Sequence, residues 1–268
     1  MRGMKNKKLR NILSITGYFL LVIAICVSAS VVFHNTYYES VYVSGSSMNP
    51  TLTGSVMETT SYGFDIEKEG STVDYGIVDK HNAAKNNVKR FAIVSTYFSD
   101  DFDATGTLLG KPNQKIKRVI ALPGETFKIE ESKLYIKKGN DFEYIPYKFD
   151  INPVVSEAYV GKDIEEVTLG EDEFWALGDH RDKSRDCCSL YKESGDFHYA
   201  AIKRSYLVGV LVAIEGQATL KLKSCYCDKC GHVYTEDKLV CGNTSCVGHR
   251  LTRDFELVNK KAHWPKYF

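Results

Sequence analysis

Three stretches far apart in the chain hold groups that together could carry out acyl transfer. Ser47 lies in Val43-Ser44-Gly45-Ser46-Ser47-Met48-Asn49-Pro50-Thr51-Leu52, and Lys117 lies in the segment Gln114–Leu122. The third is the loop Gly178–Asp186, which contains Asp179, Arg181, Ser184 and Asp186. A serine hydroxyl is a weak nucleophile until a base takes its proton, and a neutral lysine can be that base. Lysine titrates near 10.4 in water, so it must be desolvated to act near neutral pH. A drop of about 3 units corresponds to roughly 4 kcal/mol of lost preference for the ammonium form. The Lys117 segment is rich in β-branched residues and stops at Pro123-Gly124, which reads as a strand ending in a turn. Alternation along it puts Lys117 and Val119 on one face and Ile116, Arg118 and Ile120 on the other. Arg118 therefore points away from the base. Each stretch alone has a plainer reading: a Ser/Gly/Pro run is a turn, and a strand lysine is a solvated edge residue.

A second constellation lies near the C-terminus. Cys227-x2-Cys230-Gly231-His232 is followed by Cys241-x4-Cys246. Thiolates at these spacings can close a tetrahedral site around zinc, and a small module with little core gains most from such a staple. Disulfides also fit the pattern, and Cys225 competes as a ligand. Four cysteines leave no open coordination position, so a metal here would be structural and not catalytic. Asp179-His180 also reads as a ligand pair, but no further ligand cluster accompanies it.

These groups must be positioned by the rest of the chain. Ile12 to Phe33 runs 22 residues without a charge. As a helix it would be about 33 Å long, enough to cross a hydrocarbon core of about 30 Å. Arg2, Lys5, Lys7, Lys8 and Arg10 precede it with no acid. The positive-inside rule puts this basic tail, residues 1–11, in the cytoplasm and everything after Phe33 on the far side. A cleaved signal peptide is the rival reading, because Ser28-Ala29-Ser30 offers small residues. With Ser47 so close to the anchor, its substrates should lie at the membrane surface.

Beyond the anchor the chain reads as strands, giving a mainly β domain over residues 34–215. Phe127–Glu130 and Leu134–Lys137 form a hairpin around Glu131-Ser132, Glu173–Leu177 leads into Gly178-Asp179, and Tyr206–Ile214 is a buried strand. Tyr62–Asn87 reads as a surface excursion and Ser194–Ala200 as a loop. The texture changes at Glu215-Gly216, since five of the eight cysteines follow, so residues 216–268 form a small zinc-ribbon-like module. Hydrophobic content of 43% and charged content of 26% are ordinary for a globular protein, and a net charge of +1 gives no case for nucleic acid.

The motifs carry a family resemblance over about residues 10–215. The Ser47 segment, with Gly45 before it and Met48-Asn49-Pro50-Thr51-Leu52 after it, resembles the nucleophile box of type I signal peptidases. Lys89-Arg90-Phe91-Ala92-Ile93-Val94 is similar to the next box, and Ile116-Lys117-Arg118-Val119-Ile120-Ala121-Leu122-Pro123-Gly124-Glu125 to the general-base box. Gly178-Asp179-His180-Arg181, with Ser184 and Asp186, resembles the last. A lysine in the base position, where the endoplasmic-reticulum type has histidine, points to the bacterial form.

The resemblance implies a single-pass enzyme of the bacterial cell membrane that removes signal peptides from preproteins after small, Ala-x-Ala-like residues, without a catalytic metal. Ser47 would be the nucleophile and Lys117 the base. Ser184 would orient Lys117, and Asp179, Arg181 and Asp186 would hold the loop. The Ser47 N–H would be one oxyanion donor. Gly45 has no hydroxyl for the second, so a backbone N–H near Gly45 takes that part. Four departures stand out: Lys115 replaces a tyrosine, Ala92 an acidic residue, His180 an asparagine, and Cys187-Cys188 a Ser-Arg pair. The last removes a salt bridge expected in the loop. A catalytically idle membrane adaptor, binding through the cysteine module, is the alternative reading.

Overall fold

The computed structural model describes residues 2–110, 112–131, 133–146 and 164–263, with side chains from Ile15 onward. The basic side chains of the N-terminal tail and Ser132 of the expected hairpin turn lie outside the described residues. Two compact units result, Met1–Glu39 and Ser40–Phe268.

The first unit is one helix, α1 (Arg2–Tyr37). Its stretch Ile15–Tyr37 has a mean hydropathy of 2.4 and is long and apolar enough to cross a membrane. Its hydroxyls do not interrupt the backbone ladder: Ser28 donates to the Ala24 carbonyl and Thr36 to that of Val32, one turn back.

The second unit is mainly β. Strand β1 (Tyr38–Tyr42) begins at the end of the first unit and runs into the second, whose further strands are β2 (Met57–Thr59), β3 (Asp65–Glu67), β4 (Thr72–Asp79), β5 (Ile93–Thr96), β6 (Lys115–Ala121), β7 (Thr126–Glu130) and β8 (Lys133–Lys138). They continue as β9 (Asp141–Ile145), β10 (Ile164–Thr168), β11 (Glu173–Leu177), β12 (Ile202–Lys203), β13 (Leu207–Tyr226), β14 (Val233–Tyr234) and β15 (Thr252–Lys261). A nine-stranded sheet runs β1-β4-β13-β5-β6-β11-β12, with β14 and β15 also on β13. A separate four-stranded sheet runs β10-β7-β8-β9, and β2 pairs with β3.

Strand β13 is the organiser. Its first part pairs with β5 and β4, and its last part with β15 and β14, without a break at residue 216. Ala218 and Leu220 keep the apolar alternation going past that point, so the strand continues. The main core gathers Phe98, Phe127, Phe174, Trp175 and Leu177, all fully buried, with Phe197 stacked on Trp175 at 4.4 Å.

Two expectations need correction. The span Tyr62–Asn87 is no mere surface excursion, because β4 lies inside it and sits in the sheet between β1 and β13. Val73 and Val78 are fully buried there, and the polar Asp74 is buried because its backbone and carboxylate serve the Ser47 loop. Ser194–Ala200 holds a short helix, Phe197–Ala200, capped where the Asp196 carboxylate accepts from the Tyr199 N–H.

Candidate active site

The Ser47 loop is a turn with anchored ends. Met48 and Leu52, both fully buried, pack with Val43, Val78, Ile93, Leu211 and Ile214. A Leu52 N–H to Met48 carbonyl bond of 2.9 Å closes one helical turn between them. Burying such side chains is worth about 1.5–3 kcal/mol each, enough to hold the loop on the sheet while Ser47 stays half-buried. Asp74 of β4 fastens the outgoing end, its carboxylate accepting from the Thr53 N–H at 2.6 Å. Gly45 takes φ of 68°, the left-handed region glycine favours. Its N–H donates to Ser55 Oγ at 2.9 Å. The N–H groups of Ser46 and Ser47 have no acceptor among the described residues.

Lys117 approaches from β6, opposite Val94 of β5. Its Nζ lies 2.9 Å from Ser47 Oγ and 3.0 Å from the Ile116 carbonyl, and the residue is only 3% exposed. That burial is the main force on its titration and brings its pKa down to about 8; the nearby Lys115 adds to it, while Asp186, Cys187 and Asp179 oppose it. At pH 7 roughly one lysine in ten is then neutral, against fewer than about one in a thousand in water.

The two carboxylates that could hold the ammonium form are occupied elsewhere. Asp186, fully buried, caps the helix Cys187–Ser194 through the Cys188 and Ser189 N–H groups and accepts from the Gly178 N–H at 3.0 Å. Asp179 accepts from Arg118 Nη2 at 2.7 Å, from Arg118 Nε and from Thr51 Oγ1 at 2.6 Å. Lys115 pairs with Asp101. Among the described residues Lys117 has no carboxylate in contact, so desolvation prevails.

Arg118, next to Lys117 on β6, enters a buried ion pair with Asp179. Thr51, Arg118 and Asp179 thus join the Ser47 loop, β6 and the Gly178–Asp186 loop. The Arg118–Asp179 pair is not the salt bridge that the resemblance expected after Asp186; there the Asp186 carboxylate caps the helix Cys187–Ser194 instead. Sequence reasoning did not assign Arg118 or Thr51; the available signal was a cation in the middle of an apolar strand, which must find a partner if buried.

His180 completes the closure, its N–H donating to the Ser47 carbonyl at 3.0 Å and its Nδ1 to the Ser46 carbonyl at 3.2 Å. Gly178 makes room, since a Cβ there would sit 2.1 Å from Ser184 Oγ and 2.5 Å from the Ser47 carbonyl oxygen. Ser184 is thereby brought to the site, but its buried Oγ makes no hydrogen bond to Lys117; the Ile116 carbonyl accepts from Nζ instead. Arg181 opens a short turn of 3-10 helix, Arg181–Lys183, at the rim of the loop. Cys187 and Cys188 are buried thiols in the first turn of the capped helix, in no disulfide. Cys187 Sγ accepts from the Ala176 N–H, and burial pushes this thiol well above its usual range.

The cysteine-bearing end is built differently. Cys227, Cys230, Cys241 and Cys246 gather within 4.8 Å of one another, with Cys225 packed beside them but not among them. Sulfur separations of 3.2, 3.6 and 3.8 Å recur between them. A tetrahedron of zinc–sulfur bonds of about 2.3 Å has edges of about 3.8 Å. Around Cys227, the chain makes a knuckle in which Gly231, at φ 71°, donates to the Cys227 carbonyl. The Asn243 N–H donates to Cys241 Sγ at 3.4 Å. Four thiols so placed can hold a metal.

Comparison with known proteins places this β domain, with its serine against a buried lysine, in a class of peptidases. Residues 15–214 match the family described as signal peptidase, peptidase S26. The chain belongs to this signal peptidase family. Among solved structures, a signal peptidase I from Enterococcus faecalis V583 aligns at 21% identity and a TM-score of 0.32, covering 47% of this chain and 97% of that one. No curated protein matches the chain.

Proposed function

We propose that this protein is a membrane-anchored serine endopeptidase that removes signal peptides from exported preproteins, with Ser47 as nucleophile and Lys117 as general base. The observation that carries this reading is the contact of 2.9 Å between a buried lysine amine and the Ser47 hydroxyl. Neutral Lys117 accepts the Ser47 proton as Oγ attacks the scissile carbonyl. The amine then protonates the leaving amino group, an acyl ester remains on Ser47, and Lys117 activates the water that hydrolyses it. The unpartnered N–H groups of Ser47 and Ser46 are the donors for the oxyanion, because the Gly45 N–H is already given to Ser55. Substrates are cut after small residues, in keeping with the family.

In this reading α1 crosses the bacterial cell membrane once, with the basic tail in the cytoplasm and the β unit outside. The four cysteines hold a structural zinc that staples a small core and takes no part in catalysis. The decisive experiment is cleavage of a preprotein by the detergent-solubilised full chain beside Ser47→Ala and Lys117→Ala. Cleavage at the signal-peptide junction by the wild type alone supports the pair; full activity in either variant ends it.

A further inference from the structure

Glu67 of β3 belongs to none of the motif segments, yet its carboxylate holds both ends of the Ser47 loop. One oxygen accepts from Ser55 Oγ at 2.6 Å and the other from Tyr42 OH at 3.0 Å. Ser55, 2% exposed, uses its oxygen in turn to accept the Gly45 N–H, two residues before Ser47. Tyr42 is fixed as a donor, since burial and the adjacent carboxylate raise its pKa far above the usual value. The stem has no slack: a Cβ on Gly54 would sit 1.7 Å from the Gly45 carbonyl oxygen.

Glu67 is itself held from the cysteine-bearing end. Arg253 of β15, its side chain 8% exposed, donates from Nη1 to the Glu67 carbonyl at 2.6 Å and from Nη2 to Asp237 at 2.7 Å. Arg250 donates to the Asp65 carbonyl at 2.8 Å. Arg253 lies opposite Cys225 in the β13–β15 register, at the edge of the four-cysteine cluster.

We infer that Glu67 is a positioning residue for the nucleophile loop and that Arg253 sets Glu67, so that a segment outside the family match tunes Ser47. The inference rests on the reading of Ser47 as nucleophile, but half of its test does not. The carboxylate accepts from two hydroxyls at once, one at each oxygen. An amide offers one acceptor oxygen and turns a donor toward the second hydroxyl. The chain of contacts is serial: Arg253, Glu67, Ser55, Gly45.

Hydrogen exchange on the full chain tests the positioning without reference to activity. Glu67→Gln and Arg253→Ala should each speed exchange across residues 43–55, Gly45 above all, while β6 keeps its protection. Wild-type exchange there in both variants overturns the inference. Kinetics on a preprotein substrate test the consequence. Glu67→Gln should lower kcat on the order of tenfold with KM within about twofold, and Arg253→Ala about threefold. Glu67→Asp should recover part of the loss. Arg253→Ala should add nothing in the Glu67→Gln background, as serial contacts demand, whereas two effects that multiply overturn the relay. Ser55→Ala, which cuts the same chain and spares the β2–β3 hairpin, should reproduce the loss; full kcat in that variant counts against the inference. A wild type that fails to cleave strikes the proposed function alone, leaving the exchange result to decide this one.

Discussion

The two ends of β13 solve the same packing problem by different means. At its start the strand lies in a sheet covered by a core of buried aromatic and aliphatic side chains, large enough to desolvate Lys117 and to bury the Arg118–Asp179 pair. At its far end the buried set is Cys225, Cys227, Cys241 and Leu251, too few to fold by burial alone. A large core can keep an ionisable group dry and so adjust its chemistry. A small one gains most from a staple such as the proposed zinc, while its polar groups grip the neighbouring hairpin, as Arg250 and Arg253 show.

The sharpest way to break this contrast is to remove a ligand of the proposed zinc staple. Structural zinc sites carry apparent binding free energies of about 10–16 kcal/mol. Metal analysis should find about one zinc per wild-type chain and none in Cys227→Ser, with exchange protection lost from β14 and β15 but kept in β6. Retained protection in the metal-free variant would mean that the two ends do not differ as described. At the other end, Lys117→Met should lower kcat about 10⁴-fold while the melting temperature stays level or rises, because a buried amine gives way to an apolar chain. Next in size, Asp179→Ala leaves Arg118 buried without its counter-charge and should cost about 3–5 kcal/mol by urea unfolding; replacing both Arg118 and Asp179 by apolar residues should recover most of it.

The titration of Lys117 gives the finer measurements. Its protonated form cannot accept the Ser47 proton, so kcat/KM should rise with pH and level off above about 8. An inflection near the ordinary lysine value would show that the core does not desolvate it. Lys115 pushes the same group down, so Lys115→Gln should move the inflection upward by a few tenths of a unit, the smallest effect here.

What could be read from the chain follows the same division. The meeting of Ser47, Lys117 and the Gly178–Asp186 loop was legible from their residue types beside strand and turn signals. The hairpin of β7 and β8 and the strand at Glu173–Leu177 were legible from apolar alternation bounded by turn residues. Strand β4 was not, because Asp74 and Gly76 look like loop residues until the partners of Asp74 are known. The four-residue helix at Phe197 is too short to show a period. The Thr51–Arg118–Asp179 contact spans 128 residues of chain, and single-sequence reading has no means of pairing charges at that distance.

One detail of β6 bears on what happens when this chain folds badly. Lys117 is flanked by Ile116 and Arg118, and a slip of one residue in the pairing with β5 exchanges the faces of all three. Slipped one way, the hydroxyl of Ser47 would meet a hydrocarbon. Slipped the other way, it would meet a guanidinium, which does not give up its proton in a protein. With Lys117 as the proposed base, either error would leave Ser47 without one. Under the proposed function, the capacity to cut would thus be withheld from any copy whose central strands are out of step.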